Sequence, residues 1–378
     1  MFYYLHFLTD IFSPLRMFRY ITLRALLGAA TAFFIVLVLG PLVIRGLRRL
    51  NFGEQSRDGE VEKLAEFFNA KKGTPTMGGA LILFATLAAT LLWAIPTNGY
   101  VLLTLATMLY MGLLGFWDDY LKVMKKNAKG VRARHKFFWQ TVWVMVVMGI
   151  LLAWPETRQL VRQLFVPFFK EPVIADMGLI CTFIFLWLVI VGASNAVNLT
   201  DGLDGLAIGC SNNVAVAYLA MAYVAGNVKF ATYLGVPYLP GVGELAVLCG
   251  CLLGAGLGFL WYNCHPAQVF MGDTGSLAIG GAIGMMAILI KQEIALIVVG
   301  GVFVIEAISV VLQVASFRLR GRRIFLCSPL HHHFQWQEKL AAQAEGRAER
   351  QMETKITIRF WILSIIFALI GVAMLKIR

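Results

Sequence analysis

The chain has 378 residues, of which 59% are hydrophobic and only 14% are charged, and its mean hydropathy is +0.74. This composition excludes a soluble protein with one buried core, because so much apolar surface could not be hidden from water. The apolar segments run without polar alternation, which excludes a transmembrane β-barrel. The net charge of +12 does not indicate nucleic acid binding, since the basic residues lie between the apolar segments and form no single soluble face.

Apolar segments long enough to cross a bilayer, which takes about 20 residues per helix, occur along the whole chain. The first 20 residues mix aromatic and basic side chains and suit the membrane interface better than a cleaved signal peptide. Ten spans follow, near residues 21–44, 76–95, 100–117, 137–154, 176–194, 206–225, 242–262, 275–290, 294–315 and 356–375. We therefore predict an all-α, polytopic membrane protein that forms one domain over residues 1–378.

The charge of the loops predicts the orientation of these spans. Lys and Arg number 22 on one side and five on the other. The positive-inside rule places the first side in the cytoplasm and both termini in the periplasm. The cytoplasmic loops are then those near residues 45–75, 118–136, 195–205, 263–274 and 316–355. The polar clusters described below lie in these five loops, so we expect an active site that faces the cytoplasm.

Two features lie inside the spans themselves. Gly250, Gly254 and Gly258 are spaced four residues apart, which predicts close helix packing and makes a homodimer a candidate assembly. Glu306 is the main charged exception within the spans. Intramembrane carboxylates are typical of transporters and channels, which are the alternative class of protein here. Most of the acids instead collect at loop ends on one side, which favours an enzyme.

The first two polar clusters flank the second and third spans. In KKGTPTMGG, Lys71 and Lys72 precede a helix start and could bind an anion, although lysines beside a span are also ordinary positive-inside residues. In GFWDDYLK, Asp118 and Asp119 are adjacent at a membrane boundary and are followed by Lys122. A divalent cation would offset their mutual repulsion, but an acidic pair in a solvated loop is equally consistent with the sequence.

The next two clusters carry amide, carboxylate and aromatic groups. NAVNLTDGLDGLA places Asn198, Asp201 and Asp204 beside glycines, a combination that can bind sugar hydroxyls or a base, or can be a short polar connection. YNCHPAQVFMGDTGS contains Asn263, His265, Phe270, Asp273 and Thr274. Asp273 fits either a magnesium or phosphate site or the cap of the helix that follows. Phe270 could stack on a nucleobase or be an interfacial aromatic residue.

The last cluster, SPLHHHF, places His331, His332 and His333 in the largest cytoplasmic loop. Three consecutive side chains cannot share one helical face, so we expect one or two of them to face the site. Metal binding, phosphate binding, acid/base chemistry and simple exposure all remain open. Phosphoryl transfer requires groups that bind a metal ion, phosphates and a nucleotide. One membrane face here carries such groups: carboxylates, lysines, histidines and polar or aromatic side chains.

In their order along the chain, GFWDDYLK, NAVNLTDGLDG, FMGDTGS and PLHHHF closely resemble the motifs of the polyprenyl-phosphate N-acetylhexosamine-1-phosphate transferase superfamily. The resemblance covers essentially the whole chain, and PLHHHF with KKGTPTMGG favours the muramoyl-pentapeptide branch over relatives that use UDP-N-acetylglucosamine. It implies a Mg²⁺-dependent reaction of UDP-N-acetylmuramoyl-pentapeptide with undecaprenyl phosphate in the bacterial inner membrane, giving lipid I and UMP. The segment Gln337–Lys355, which we predict to be an exposed helix, departs from the usual pattern.

The resemblance also implies roles for individual residues. Four residues would be catalytic: Asp118, Asp119, Asp273 and His332. Asp118 would act as base or phosphate-orienting acid, and Asp119 and Asp273 would hold magnesium. The residues implied in substrate binding are Lys71, Thr76, Lys122, Lys126, Lys136, Asn198, Asp201, Asp204, Asn263, Phe270, Gln313, His331 and His333. We prefer direct attack of the lipid phosphate on the nucleotide β-phosphate, while a two-step route through an aspartyl phosphate stays open.

Overall fold

The computed structural model describes residues 1–50, 73–124, 130–345 and 352–376, which are mostly helical and contain no β-strand. Two short 3-10 helices, Phe2–Leu8 and Ser13–Arg19, precede the first span. The long helices are α1 Ile21–Arg49, α2 Gly79–Trp93, α3 Gly99–Met124, α4 Ala133–Ala153, α5 Gly178–Thr200, α6 Leu206–Ala225, α7 Leu245–Asn263, α8 Gly272–Leu289, α9 Gly301–Arg320, α10 Leu330–Glu345 and α11 Met352–Ala373.

Within the described residues, nine helices are long and apolar enough to cross a membrane, and the shorter α2 is a tenth apolar helix. The prediction of an all-α, polytopic membrane protein is therefore confirmed. α2 is short because the residues before it form no helix. There the backbone runs beside the segment that precedes α8, with Phe270 donating to the Pro75 carbonyl at 2.8 Å and Gly78 donating to the Phe270 carbonyl at 2.9 Å.

Three predicted boundaries were wrong, all at the same end of the helix bundle. α3 continues to Met124, seven residues beyond the predicted end of the third span, so Asp118 and Asp119 lie in its last turns. α5 likewise continues through Asn198 to Thr200. The histidines lie on α10 instead of in a loop. In each case polar residues extend a helix because their side chains have partners on neighbouring helices, which local hydropathy does not reveal.

The predicted ninth span is divided. A seven-residue helix, Glu293–Val299, is followed by Gly300 and then by α9. Both parts pack against α11, since a Cβ on Gly301 would lie 2.8 Å from the Phe367 ring and a Cβ on Gly371 would overlap Val299. Small residues permit these close approaches.

α8 is the central helix of the bundle, and all its residues from Thr274 to Leu289 are buried. A helix that is apolar all round belongs in the interior of a bundle. Glycines set its contacts with three neighbours: a Cβ on Gly115 of α3 would overlap the Asp273 carbonyl, one on Gly79 of α2 would overlap Gly275, and one on Gly280 would lie 2.5 Å from the Ala193 carbonyl of α5. The helix that carries Asp273 is thus fixed from several sides.

The glycine stripe of the seventh span packs within the chain. A Cβ on Gly250 would lie 2.6 Å from the Ala25 carbonyl of α1, and one on Gly254 would overlap Ala29. The predicted close helix packing is confirmed, with α1 as the partner. Because α1 covers this stripe, a homodimer would have to use another surface.

Candidate active site

Three carboxylates meet where α3 ends and α8 begins. One oxygen from each of Asp118, Asp119 and Asp273 lies within 4.8 Å of the other two. We call these residues the aspartate cluster. Asp118 and Asp119 are each 3% exposed, so the alternative of an acidic pair in a solvated loop is wrong. Buried like charges repel strongly, and they require cations nearby.

Two lysines supply positive charge to the aspartate cluster. Lys122, one helical turn after Asp118, places Nζ 2.6 Å from Asp118 Oδ2 and 3.1 Å from Asp273 Oδ2. Lys136, in the first turn of α4, lies 2.9 Å from the same Asp273 oxygen. Three carboxylates against two ammonium groups leave one excess negative charge. The site therefore attracts a further cation.

The other oxygen of Asp273 is held by α5. Asn198 Nδ2 donates to Asp273 Oδ1 at 2.7 Å and lies 2.8 Å from Ser276 Oγ. Asp273 is consequently in contact with side chains from α3, α4 and α5. Such convergence fixes the direction of its carboxylate, which is what positioning a metal ion or a phosphate requires.

Asp119 has a different set of partners from its neighbour. Its carboxylate accepts hydrogen bonds from the Thr274 amide at 2.9 Å, the Thr274 hydroxyl at 2.7 Å and the Asp273 amide at 3.2 Å. It thereby satisfies the free N–H groups at the start of α8. The alternative that Asp273 caps this helix does not hold, because Asp273 lies inside the first turn and Asp119 accepts from its first N–H groups instead.

Asp118 is held by the chain that follows α3. The Val131 amide donates to Asp118 Oδ1 at 2.6 Å. Gly130 has a φ of +55°, and a Cβ there would lie 2.6 Å from the same oxygen. A glycine is needed at this position because the backbone is left-handed and pressed against the carboxylate.

A second group of potential metal ligands combines Asp204, His265 and Glu353. His265 Nδ1 lies 2.9 Å from Asp204 Oδ2 and 3.4 Å from Glu353 Oε2. Asn263 lies next to this group, where its side chain accepts from the Gly205 amide at 3.1 Å and donates to the Val269 carbonyl at 2.8 Å. Asn263 therefore ties the loop after α5 to the segment before α8.

The KKGTPTMGG motif reaches the aspartate cluster through its second half. A Cβ on Gly272 would lie 2.8 Å from Thr76 Oγ1 and 2.7 Å from Asp119 Oδ2. Thr76 and Asp119 thus meet at the first residue of α8. Phe270 lies two residues before Gly272. Its backbone N–H and carbonyl groups bind the KKGTPTMGG segment at Pro75 and Gly78.

The three histidines have three different surroundings. His331 is fully buried, 3.2 Å from Glu306 Oε2 and so close to Gly202 that a Cβ there would overlap its ring. His332 Nδ1 lies 3.1 Å from Gln335 Oε1. His333 Nδ1 accepts from the Leu326 amide at 3.2 Å. Of the three, His331 therefore reaches the loop after α5 at Gly202.

Gln313 of α9 is occupied by backbone groups. Its Oε1 accepts from the amides of Ile324 and Phe325, and its Nε2 donates to the Phe325 carbonyl, all at 3.0 Å. In this conformation Gln313 orders the connection between α9 and α10. Substrate binding by Gln313 stays a prediction.

The structure brings together only part of the predicted set. Six of these residues meet at the start of α8: Asp118, Asp119, Lys122, Lys136, Asn198 and Asp273. Thr76 and Phe270 lie beside them. Asp204 and Asn263 lie at the second group, whereas Gln313 lies near the histidines. Lys71 and Lys126 fall outside the described residues. The catalytic and binding roles of all these residues stay predictions.

Some residues of this region were missed by sequence reasoning. Thr274 and Ser276 were noted only as neighbours of Asp273, and Glu306 was noted only as a charge within a span. Glu353 was treated as part of an exposed helix, and Gln335 was not singled out. The signal that could have found Glu306 was its burial cost, since a carboxylate in an apolar helix needs a specific partner.

The aspartate cluster has the donor chemistry for Mg²⁺. This ion prefers oxygen ligands at about 2.1 Å, so ligands on opposite sides of it lie about 4.2 Å apart. The three carboxylate oxygens all lie within 4.8 Å of one another, so one such ion could contact all three after a small adjustment. Lys122 and Lys136 would have to withdraw from the Oδ2 atoms, toward substrate phosphates, for Asp118 and Asp273 to bind a cation.

Comparison with known proteins gives a consistent result over the whole chain. Residues 101–291 match the family described as "Glycosyl transferase family 4". The chain is similar to the phospho-N-acetylmuramoyl-pentapeptide-transferase of Methylacidiphilum infernorum, with 48% identity over 379 residues that cover all of both chains. It is equally similar, at 48% over 380 residues and again over both full lengths, to the enzyme of the same name from Citrifermentans bemidjiense.

Proposed function

Because the chain belongs to the phospho-N-acetylmuramoyl-pentapeptide-transferase family, within glycosyl transferase family 4, we propose that it catalyses that transfer. It moves phospho-N-acetylmuramoyl-pentapeptide from its uridine diphosphate carrier to undecaprenyl phosphate. The products are lipid I and UMP. This is the first membrane step of peptidoglycan synthesis, and it needs the multi-pass membrane protein described above, because one substrate is a lipid and the other is a soluble nucleotide.

The observation that carries the proposal is the aspartate cluster with its two lysines at the start of α8. Phosphoryl transfer between two anionic substrates requires fixed positive charge and correct positioning, and it requires little covalent chemistry from the protein. Lys122 and Lys136 are bound to the carboxylates of the cluster. They can exchange these partners for the phosphate oxygens of the substrates.

We propose Mg²⁺ as the cofactor, with Asp273 and Asp119 as predicted ligands and Asp118 within reach. When bound, the ion would neutralise charge on the nucleotide phosphates and polarise the bond that breaks. Asp273 is the best supported ligand, since Asn198 orients its carboxylate and its Oδ2 atom is bound by Lys122 and Lys136, which can turn to substrate phosphates. Asp119 is already bound by the first N–H groups of α8, so it orients the cluster as well as contributing charge.

For the reaction itself we propose direct attack by an oxygen of undecaprenyl phosphate on the β-phosphorus of the nucleotide. The new P–O bond joins lipid and sugar phosphate, and the broken P–O bond releases UMP with its electron pair. Asp118 orients the attacking phosphate or accepts its proton, from a carboxylate held by the Val131 amide. A burst of UMP without lipid acceptor, equal to the amount of enzyme, would support the two-step aspartyl phosphate route instead.

We propose that the nucleotide and sugar pocket is formed by Lys71, Asp201, Asp204, Asn263 and Phe270, together with Asn198. Two of them support this through their placement: Asn263 and Asp204 join the loop after α5 to the segment before α8, which lie on either side of the aspartate cluster. His331 of α10 reaches the same loop at Gly202. A nucleotide bound there would place its phosphates toward the cluster.

The location that fits this chemistry is the bacterial inner membrane, with the aspartate cluster facing the cytoplasm, where uridine nucleotides are made. The excess of Lys and Arg in the loops at this end supports that orientation. A homodimer remains a proposal.

The test is UMP release by the purified protein in detergent with UDP-N-acetylmuramoyl-pentapeptide, undecaprenyl phosphate and Mg²⁺. We expect turnover that requires all three components, and much slower turnover with UDP-N-acetylglucosamine. Efficient use of UDP-N-acetylglucosamine would assign the chain to the other branch of the superfamily. Absence of UMP release with either nucleotide would contradict the proposal.

The metal role of Asp273 is tested by Asp273→Asn, which keeps shape and removes charge. We expect turnover to fall at least a hundredfold and Mn²⁺ binding, followed by electron paramagnetic resonance, to weaken. Asp10→Asn is the matched control, since Asp10 is exposed near the N-terminus. Wild-type Mn²⁺ affinity in Asp273→Asn would remove this residue from the metal site.

A further inference from the structure

Glu306 lies in α9, is fully buried and was the one carboxylate noted within the apolar spans. We infer that Glu306 is a positioning residue for the proposed transfer, and that it presents His332 to the substrates by holding the first turn of α10. The effect on transfer through His332 rests on the proposed function. The capping of α10 by Glu306 does not depend on that function.

The contacts of Glu306 account for the free amides of α10. Oε2 accepts from the Leu330 amide at 2.7 Å and Oε1 accepts from the His331 amide at 3.1 Å. The next two amides, those of His332 and His333, donate to the Pro329 carbonyl at 3.1 and 3.4 Å. The first four N–H groups of a helix have no partner within it, and here all four are satisfied, two of them by this one carboxylate.

The start of a helix is a favourable place for a buried negative charge. The aligned peptide dipoles give the N-terminus about half a positive elementary charge, and the amides point directly at the carboxylate. The imidazole of His331 adds a third neighbour, with Nδ1 3.2 Å from Glu306 Oε2. Glu306 is therefore stabilised by the element that it positions, which explains a carboxylate in an apolar span.

α9 holds the connecting segment at two further points on the same face. Gln313 lies seven residues after Glu306 and binds the backbone of Ile324 and Phe325, and Ser316 donates to the Arg322 carbonyl at 2.8 Å. Residues separated by seven and then three positions share one side of a helix. Three polar residues on one side of α9 thus fix the segment from Arg322 to His331. Glu306 is the most buried of them and binds the end of that segment.

A path of side-chain contacts leads from α10 to the proposed nucleotide pocket. His332 contacts Gln335, and Gln335 donates to Glu353 Oε1 at 3.1 Å. Glu353 lies 3.4 Å from His265, which contacts Asp204. A displaced first turn of α10 would move His332 and this path together. Loss of the Glu306 cap would therefore lower turnover and weaken nucleotide binding as well, because the path ends at Asp204.

The structural test is hydrogen exchange, followed by mass spectrometry, of the peptide spanning residues 326–336 in detergent. Glu306→Gln keeps one acceptor and Glu306→Ala keeps none. We expect the Leu330 and His331 amides to exchange about tenfold faster in the Gln variant and faster still in the Ala variant. Ser309→Ala is the matched control, because Ser309 is buried on the same helix and its hydroxyl donates to the Glu306 backbone carbonyl, not to α10. Unchanged exchange in both Glu306 variants would overturn the inference.

The functional test is a double-mutant cycle with His332→Ala, measured by UMP release. We expect Glu306→Gln to lower kcat/KM for the nucleotide about tenfold, and to have less than a twofold effect in the His332→Ala background. A full, additive loss in that background would overturn the route through His332. Wild-type protein without UMP release would refute the proposed function, yet the exchange comparison would still decide the cap.

If neither Glu306 variant can be purified, exchange in the wild-type protein decides. The Leu330 and His331 amides should then be protected as strongly as those in the interior of α10. Exchange of these two amides at the rate of an unstructured peptide would overturn the inference.

Discussion

Asp118 and Asp119 are adjacent in the sequence but have different partners. Consecutive residues of a helix point about 100° apart, so Asp118 faces Lys122 and the Val131 amide while Asp119 faces the first turn of α8. One carboxylate is therefore available to substrates once its lysine moves, and the other holds two helices together. This difference leads to two separate predictions.

Replacing Asp119 with alanine should destabilise the protein as well as inactivate it. The change leaves the amides of Asp273 and Thr274 and the Thr274 hydroxyl without their acceptor. We expect a loss of about 2 kcal/mol of unfolding free energy, measured by thermal unfolding in detergent. Thr274→Val, which removes only the hydroxyl, should show about half that loss. A melting temperature unchanged in Asp119→Ala would refute the capping role.

Replacing Asp118 with asparagine should separate activity from stability. The aspartate cluster has three carboxylates and two lysines, so removing one negative charge relieves repulsion in the metal-free protein. We expect UMP release to fall at least a hundredfold while the melting temperature stays equal or rises. Such opposite changes are typical of residues retained for function at the expense of stability. A large fall in melting temperature would show that Asp118 is mainly structural.

At the scale of helices, the position of Asp273 depends on how closely α3 approaches α8. Gly115 lies against the Asp273 carbonyl, and there is no space for a Cβ between them. Gly115→Ala should therefore push the two helices apart and lower both turnover and unfolding free energy, the latter by about 2 kcal/mol. Gly149→Ala on α4 is the matched control, since no atom lies within 4 Å of the added carbon. Equal behaviour of the two variants would contradict this account of α8.

The sequence predicted the spans but not the helix ends that depend on contacts between distant residues. Continuous apolar runs identified the spans, because hydropathy is local in the sequence. The contact of Asp119 with Thr274 joins residues 155 positions apart, and that of Glu306 with Leu330 joins two helices. No local pattern encodes such partners. Helix ends that depend on them, as in α3 and α10, were therefore placed wrongly, whereas the residues of the aspartate cluster were identified by their motifs.

At the scale of the whole molecule, two ends of the bundle differ in their polar groups. The aspartate cluster and the histidines lie where α8 begins, whereas the buried pair Arg24–Glu244, with 2.6 Å between Nη2 and Oε1, lies where α2 ends. Arg24 also donates to the Trp93 carbonyl, and Glu244 accepts from the Ile95 amide, so this bidentate pair is suited to fixing helices. The aspartate cluster and this structural ion pair thus lie at opposite ends of the bundle, which leads to a prediction about orientation.

The aspartate end should face the cytoplasm. Cys264 is exposed beside α8 at this end, and Glu171 is exposed in the connection between α4 and α5 at the other. In a protein with Cys181 and Cys327 changed to serine, a membrane-impermeant maleimide should label Glu171→Cys in intact spheroplasts. Cys264 should react only after permeabilisation, since thiols need aqueous access to ionise and react.

The control for this labelling changes Cys181, Cys264 and Cys327 to serine and keeps Glu171, and it should show no labelling on either side, because the remaining cysteines are buried. Labelling of Cys264 in intact spheroplasts, with Glu171→Cys protected, would reverse the orientation and place the aspartate cluster in the periplasm. The nucleotide substrate would then have no access to the cluster, because it is charged and confined to the cytoplasm. The orientation experiment is therefore also a test of the substrate, made without measuring turnover.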